Sequence, residues 1–68
     1  MNNTRTITEI MDLRDCRIRL GYKVAALEDK ALWEPDNFTA EDAYWLRYYR
    51  ADIARIKATE EELRSRMH

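Results

Sequence analysis

The sequence predicts an all-α fold of two long antiparallel helices. Gly21 and Pro35 are the only glycine and proline in the chain, whereas a β-rich domain needs turn residues at short spacing. One turn cluster, EPDNFT at residues 34–39, lies near the middle of the chain. On both sides of it, apolar residues recur at alternating steps of three and four, which is the spacing of a coiled-coil seam.

The first helix is predicted over about residues 6–33. Pro35 disfavours the α conformation at Glu34, so this helix should end near Trp33. Its seam consists of residues spaced three and four apart: Ile10, Leu13, Arg17, Leu20, Val24, Leu27 and Ala31.

The second helix is predicted over about residues 40–67. Thr39 opens the sequence TAED, which places Asp42 three residues after a capping hydroxyl and so predicts a capping box. Acidic Glu41 and Asp42 also suit the positive end of a helix. The seam of this helix is Leu46, Tyr49, Ile53, Ile56, Glu60, Leu63 and Met67, and His68 is expected to be a frayed tail.

A short loop between helices of similar length predicts an antiparallel helical hairpin that occupies residues 1–68 as a single domain. In such a hairpin, facing residues should have numbers that add up to about 72. Glu60 should then pair with Arg14, and less easily with Arg17, while Glu28 should reach Arg47. The alternative for a seam charge is that its long side chain extends to solvent.

Helix 1 carries a second apolar set, a quarter-turn or more from its seam: Ile7, Met11, Ile18, Tyr22, Ala25 and Leu32. One partner helix cannot cover both sets, and exposed apolar surface usually marks an interface. We therefore expect a homodimer in which two hairpins form a four-helix bundle. Its interface is predicted at Ile7, Met11, Ile18, Gly21, Tyr22 and Ala25, with Gly21 letting a neighbouring helix come close. In size and topology alone, this architecture resembles the Rop-type hairpin dimers of plasmid RNA-binding proteins.

The composition limits how the domain can be stabilised. A core in a 68-residue chain rarely supplies more than ~3–5 kcal/mol. Cys16 is the only cysteine and His68 the only histidine, so neither an internal disulfide nor a zinc cluster is expected. Cys16 is predicted to be a small half-buried hydrophobe rather than a reactive thiol.

Several classes of function are not expected. The formal net charge of −1 does not by itself indicate binding to nucleic acid or membranes. There is no run of the ~18–20 apolar residues that a membrane span needs, and the N-terminal residues lack a signal-peptide pattern, so a cytoplasmic location is expected. The sequence has no glycine-rich phosphate loop, no histidine base within the helices and no Glu-x-x-His motif. We therefore expect neither an enzyme nor a bound cofactor or metal.

The most distinctive segment is EDAYWLRYYRADIARIK, residues 41–57. A helical wheel puts Trp45 and Tyr49 on the seam side, where they should be core residues. It puts Tyr44, Tyr48 and Arg55 on the outer face, where they and Arg47 are candidates for contact with a partner. The alternative is that the outer aromatics are buried in the dimer interface.

The sequence therefore predicts a small regulator, inhibitor or adaptor that acts by protein–protein binding as a homo-oligomer, a role that would suit a phage or mobile-element protein. The alternative is an RNA- or DNA-binding hairpin dimer that uses Arg47, Arg50, Arg55 and the outer tyrosines. A third interpretation is a structural assembly subunit.

Overall fold

A computed structural model describes residues 3–67 and confirms the all-α, two-helix prediction. Helix α1 spans Asn3–Trp33 and helix α2 spans Ala40–Ser65, with a short 3-10 turn at Pro35–Asn37 between them. The two helices pack antiparallel, and the Cα trace measures 53 × 14 × 14 Å. Within the described residues the chain is thus one rod-like hairpin without strands.

Local chemistry fixes the connection between the helices. Glu34 leaves the helical conformation directly before Pro35, with φ −133° and ψ 56°. At the start of α2, the Thr39 hydroxyl accepts a hydrogen bond from the Asp42 amide at 3.1 Å. The Asp42 carboxylate accepts one from the Thr39 amide at 3.0 Å. The predicted capping box is therefore present, and it satisfies two amides that would otherwise lack helical partners.

The helix ends differ slightly from the predicted ones. Helix α1 begins at Asn3 rather than near residue 6, and the Thr8 hydroxyl donates to the Thr4 carbonyl one turn earlier. Helix α2 ends at Ser65 rather than Met67. The amides of Arg66 and Met67 bond to carbonyls three residues back, which tightens and closes the last turn. His68 lies outside the described residues.

The predicted seam is confirmed, because every residue of both heptad stripes is buried or half-buried. Even so, the core is thin. Val24, at 9% exposure, is the buried apolar residue of the described chain, and the best-shielded residue is a carboxylate, Glu60, at 3%. A single layer between two helices is all that the hairpin alone can bury.

The second apolar set of α1, which we call the outer stripe, is uncovered in the hairpin. Its large side chains are 41–74% exposed, and they are Ile7, Met11, Ile18, Tyr22 and Leu32. Ala25 is exposed as well. A Cβ built on Gly21 meets nothing within 4 Å, so Gly21 makes no close contact with α2, and its place in the dimer interface stays a prediction.

The ion pairs that cross the seam agree only in part with those predicted. Glu60 pairs with Arg17, the less favoured of its two predicted partners, at 2.9 Å between Nε and Oε1. Glu28 pairs with Arg50 at 3.2 Å rather than with Arg47. Helical side chains tilt toward the N-terminus of their own helix. Two side chains on antiparallel helices therefore tilt toward each other when their residue numbers add up to more than about 72, the sum for residues that face each other along the backbones. Arg17 with Glu60, and Glu28 with Arg50, meet this condition.

Two further findings concern exposure. Cys16 is exposed, not half-buried as predicted, because a position just off the seam has no third element to cover it. Neither described helix combines the length and apolar character needed to cross a bilayer.

Candidate partner-binding surface

Four aromatic rings on the N-terminal half of α2 form one continuous cluster. Tyr44 and Tyr48 stack at 6.4 Å between ring centroids, and Trp45 and Tyr49 stack at 5.7 Å. Edge-to-face contacts of 5.2–6.1 Å join these two stacks to each other. The arrangement follows from helix geometry, since residues four apart lie one above the other. We call these four residues the ring cluster.

The ring cluster corrects the predicted division of this segment into core and outer aromatics. Trp45, expected in the core, is 38% exposed, and it lies beside Tyr44 at 59% and Tyr48 at 44%. Only Tyr49 is half-buried. The seam between two helices is narrow, so an indole at its edge extends past the neighbouring helix into solvent. The exposure of the rings therefore increases from Tyr49 at the seam to Tyr44 on the outer face.

A shallow depression adjoins the ring cluster on the α1 side. It is open to solvent, has a volume of about 340 Å³, and is lined by Lys23, Ala26 and Leu27 of α1 together with Trp45 and Tyr49. The Lys23 ammonium lies 5.3 Å from the centroid of the Tyr49 ring, a cation–π distance. The depression combines apolar walls with one positive charge at its edge.

The arginines predicted to act with the outer tyrosines are not gathered around the rings. Arg55 lies seven residues beyond Tyr48, about 10 Å along the helix, and pairs with Asp52. Arg50 pairs with Glu28. Arg47 is exposed and makes no ion pair within the described residues. Of the predicted contact residues, the structure brings together Tyr44 and Tyr48.

An ion pair anchors the end of α2 that carries the rings. The Lys30 ammonium lies 2.8 Å from the Asp42 carboxylate. This hydrogen bond, supported by the Thr39 amide, lowers the pKa of Asp42 below its ordinary value. The same hydrogen bond raises the pKa of Lys30. Both groups stay charged at neutral pH, so the first turn of α2 is held to the last turn of α1.

The chemistry of this surface suits binding. Tyrosine and tryptophan offer large apolar faces with a polar group at the edge, and they lose little conformational freedom on contact. Among the described residues, no group of three or more His, Cys, Asp or Glu side chains lies close enough together to hold a metal ion.

Sequence reasoning did not assign Trp45, Tyr49 and Lys23 to this surface. The i, i+4 spacing of residues 44 and 48, and of 45 and 49, was the available signal for the stacks. The position of Lys23 depends on helix pairing and is not visible in the local sequence.

No family model, curated protein or solved structure matches the chain.

Proposed function

We propose that this protein is a small non-enzymatic interaction protein, a regulator, inhibitor or adaptor. It binds another protein through the ring cluster of α2 and self-associates as a homo-oligomer through the outer stripe of α1. The observation that carries the partner-binding half is the continuous ring cluster, in which three of the four rings are at least 38% exposed.

Exposed aromatic rings are costly for a small hairpin unless they serve an interface. Each large ring brings about 150–250 Å² of surface when it is buried, and tyrosine, tryptophan and arginine dominate the residues whose loss weakens interfaces by about 2 kcal/mol or more. Here the rings already stack on one another. A partner therefore meets a rigid surface and loses little side-chain entropy in binding it.

The charges around the rings favour a protein partner over nucleic acid. Binding to a phosphate backbone needs free cations, but Arg50 and Arg55 each hold a carboxylate of this chain. Arg47 remains unpaired among the described residues, and Glu41 is exposed on the same segment. The nucleic-acid alternative predicts steeply salt-dependent retention on RNA or DNA, whereas the proposed function predicts weak retention of this kind.

The test is affinity capture from the native host with the wild type and a triple variant, Tyr44→Ala/Tyr48→Ala/Arg55→Ala. These side chains lie outside the seam, so helicity and oligomeric mass should stay nearly unchanged. A specific protein partner should be captured by the wild type and lost by the triple variant. Nuclease treatment before capture should leave that partner in place.

Trp33→Ala is the matched control, because Trp33 is an aromatic residue 76% exposed at the end of α1 and makes no ring contact within the described residues. It should capture the partner as the wild type does. Equal capture by the triple variant and the wild type would refute the ring cluster as the binding surface. Loss of capture on nuclease treatment would favour the nucleic-acid alternative.

A further inference from the structure

The outer stripe of α1 is the surface through which two copies of the chain would pack, and the inference about how they pack rests on the self-association part of the proposed function. The stripe runs from Ile7 to Leu32, which is about 38 Å of helix. Every large member is at least 41% exposed. We propose that α1 packs against α1 of a second copy, antiparallel, with a two-fold axis near Gly21 and the two inter-helix turns at opposite ends of the dimer.

The charges on α2 exclude it as the surface that covers the stripe. Arg50 bonds to Glu28, which places Arg50 on the same side of the hairpin as the stripe. Helical spacing adds four more charged residues to that side of α2: Arg47, Lys57, Glu61 and Arg64. Within the described residues Arg47, Lys57 and Glu61 of this row make no ion pair. Laying the apolar stripe of a second copy on them would remove these charges from water without partners, at a high free-energy cost.

The charges on α1 itself favour an antiparallel orientation of the two α1 helices. Arg14 and Asp29 are both exposed and have no ion pair within the described residues. They lie on the face of the outer stripe, Arg14 before Gly21 in the chain and Asp29 after it. A parallel pair of α1 helices would place Arg14 beside Arg14 and Asp29 beside Asp29. An antiparallel pair places each Arg14 near Asp29 of the second copy, twice across the two-fold axis.

The register follows from the sizes of the side chains. With an axis level with residue 20, one position before Gly21, residues whose numbers add up to about 40 face each other. Ile18 then packs over Gly21 of the second copy, where a Cβ position has open space, and Ile7 meets Leu32. The residue numbers of Arg14 and Asp29 add up to slightly more than 40, as expected for two side chains that each tilt toward the N-terminus of their own helix. Asp15 falls near Glu28, whose charge Arg50 already balances.

Charge exchange tests the contact. Dimer dissociation constants are measured by analytical ultracentrifugation for Arg14→Asp, for Asp29→Arg and for the double exchange. Each single change creates two like-charge contacts across the axis, so we expect at least tenfold weaker dimerisation. The double exchange should return the constant to within about threefold of the wild type. Lys57→Glu, on the row of α2 that we exclude, is the control and should leave the constant unchanged.

A distance between the two turns tests the direction independently. Spin labels are placed at Asp36→Cys in a Cys16→Ser background, because Cys16 is exposed and would also react. Antiparallel α1 pairing puts the turns about 48 Å apart, whereas any arrangement with both turns at one end puts them about 10–15 Å apart. Pulsed electron resonance distinguishes the two.

The outcomes separate this inference from the proposed function. A long distance with rescue by the charge exchange supports the antiparallel dimer. A dimer with a short distance, or one that Lys57→Glu weakens and the exchange does not rescue, overturns the inference while leaving self-association intact. A chain that stays at its 8.2 kDa monomer mass at all concentrations overturns both. Partner capture by the ring cluster is decided separately by the triple variant.

Discussion

At the residue scale, the best-shielded side chain of the hairpin is a charged one. Glu60 is 3% exposed and is held by Arg17 at 2.9 Å and by Arg64 at 3.5 Å. A buried ion pair contributes little net stability compared with apolar residues, but removing one partner leaves an uncompensated charge. The pair therefore contributes more to the register of the two helices than to the stability of the hairpin.

Double-mutant analysis of Glu60 and Arg17 checks this role. We expect Glu60→Ala and Arg17→Ala each to lower the free energy of unfolding by ~1–3 kcal/mol. The double variant should lose less than the sum, with a coupling of at least ~0.5 kcal/mol. Denaturant titration measures all three variants. Glu62→Ala is the control, since Glu62 pairs with Arg66 on the surface of its own helix, and its effect should stay within ~0.5 kcal/mol. Equal effects of Glu60→Ala and Glu62→Ala would contradict the seam position of Glu60.

Gly21 gives the second prediction at this scale. In the isolated hairpin, Gly21→Ala meets open space and removes a poor helix former, so it should stabilise the monomer by up to about 1 kcal/mol. In the proposed dimer, the added methyl group occupies the space below Ile18 of the second copy and should weaken association.

The measurements are thermal unfolding at a concentration where the monomer dominates and a dimer dissociation constant for the same variant. Opposite changes in the two quantities are expected. A variant that is more stable and also dimerises as well as the wild type would remove Gly21 from the interface.

At the scale of the elements, periodicity and capping were readable from the sequence because they depend on local spacing. The steps of three and four located both stripes, and Thr39 with Asp42 located the start of α2. The ion-pair partners were predicted only in part, with Arg17 as the second candidate for Glu60 and Arg50 not considered for Glu28, because they depend on the opposite tilt of side chains on antiparallel helices. The exposure of Trp45 was missed for a related reason. A helical wheel gives the direction of each side chain, but not how much of the helix surface a single neighbouring helix can cover.

The junction of the two helices should respond to pH. The folded pKa of Asp42 is lowered, first by the Lys30 hydrogen bond and then by the Thr39 amide. Its contribution to stability is therefore present above the unfolded pKa of about 3.9 and is lost as the pH falls through the folded value. The pKa of Lys30 is raised, so its contribution is complete below about 10.4 and is lost as the pH rises through the folded value.

Asp42→Asn tests this window. Its penalty in the free energy of unfolding should be largest near neutral pH and should shrink below about pH 4, where the wild-type carboxyl also becomes protonated. Asp36→Asn serves as the control, because Asp36 is exposed in the 3-10 turn and makes no ion pair within the described residues. A penalty for Asp42→Asn that is constant from pH 7 to pH 2 would mean that the charge of Asp42 does not stabilise the junction.

At the scale of the whole molecule, the two proposed binding surfaces lie on different sides of the hairpin. The outer stripe lies on the side of Glu28 and Arg50, while the ring cluster and its depression lie on the side of Lys23. A dimer formed through α1 leaves both ring clusters uncovered. A partner with two binding sites would then gain avidity beyond the affinity of one ring cluster, which gives self-association a direct role in the proposed function.

Self-association should also make the melting temperature depend on protein concentration. Among the described residues Val24 is the one buried apolar side chain, so we expect the hairpin alone to have little stability. Dimer formation would stabilise the folded state by mass action. We expect the midpoint to rise as the chain concentration increases from about 1 μM to 100 μM, with at least twice the monomer mass by light scattering at the upper end.

Ile18→Ser should flatten that dependence, because it removes an apolar side chain from the centre of the outer stripe and leaves the seam untouched. Cys16→Ser is the matched control: it lies two residues away, is exposed, and sits on the other flank of α1, so the concentration dependence should persist. A wild-type midpoint that does not move with concentration, with a cooperative transition and monomer mass, would show that the thin seam stabilises the hairpin without a second copy.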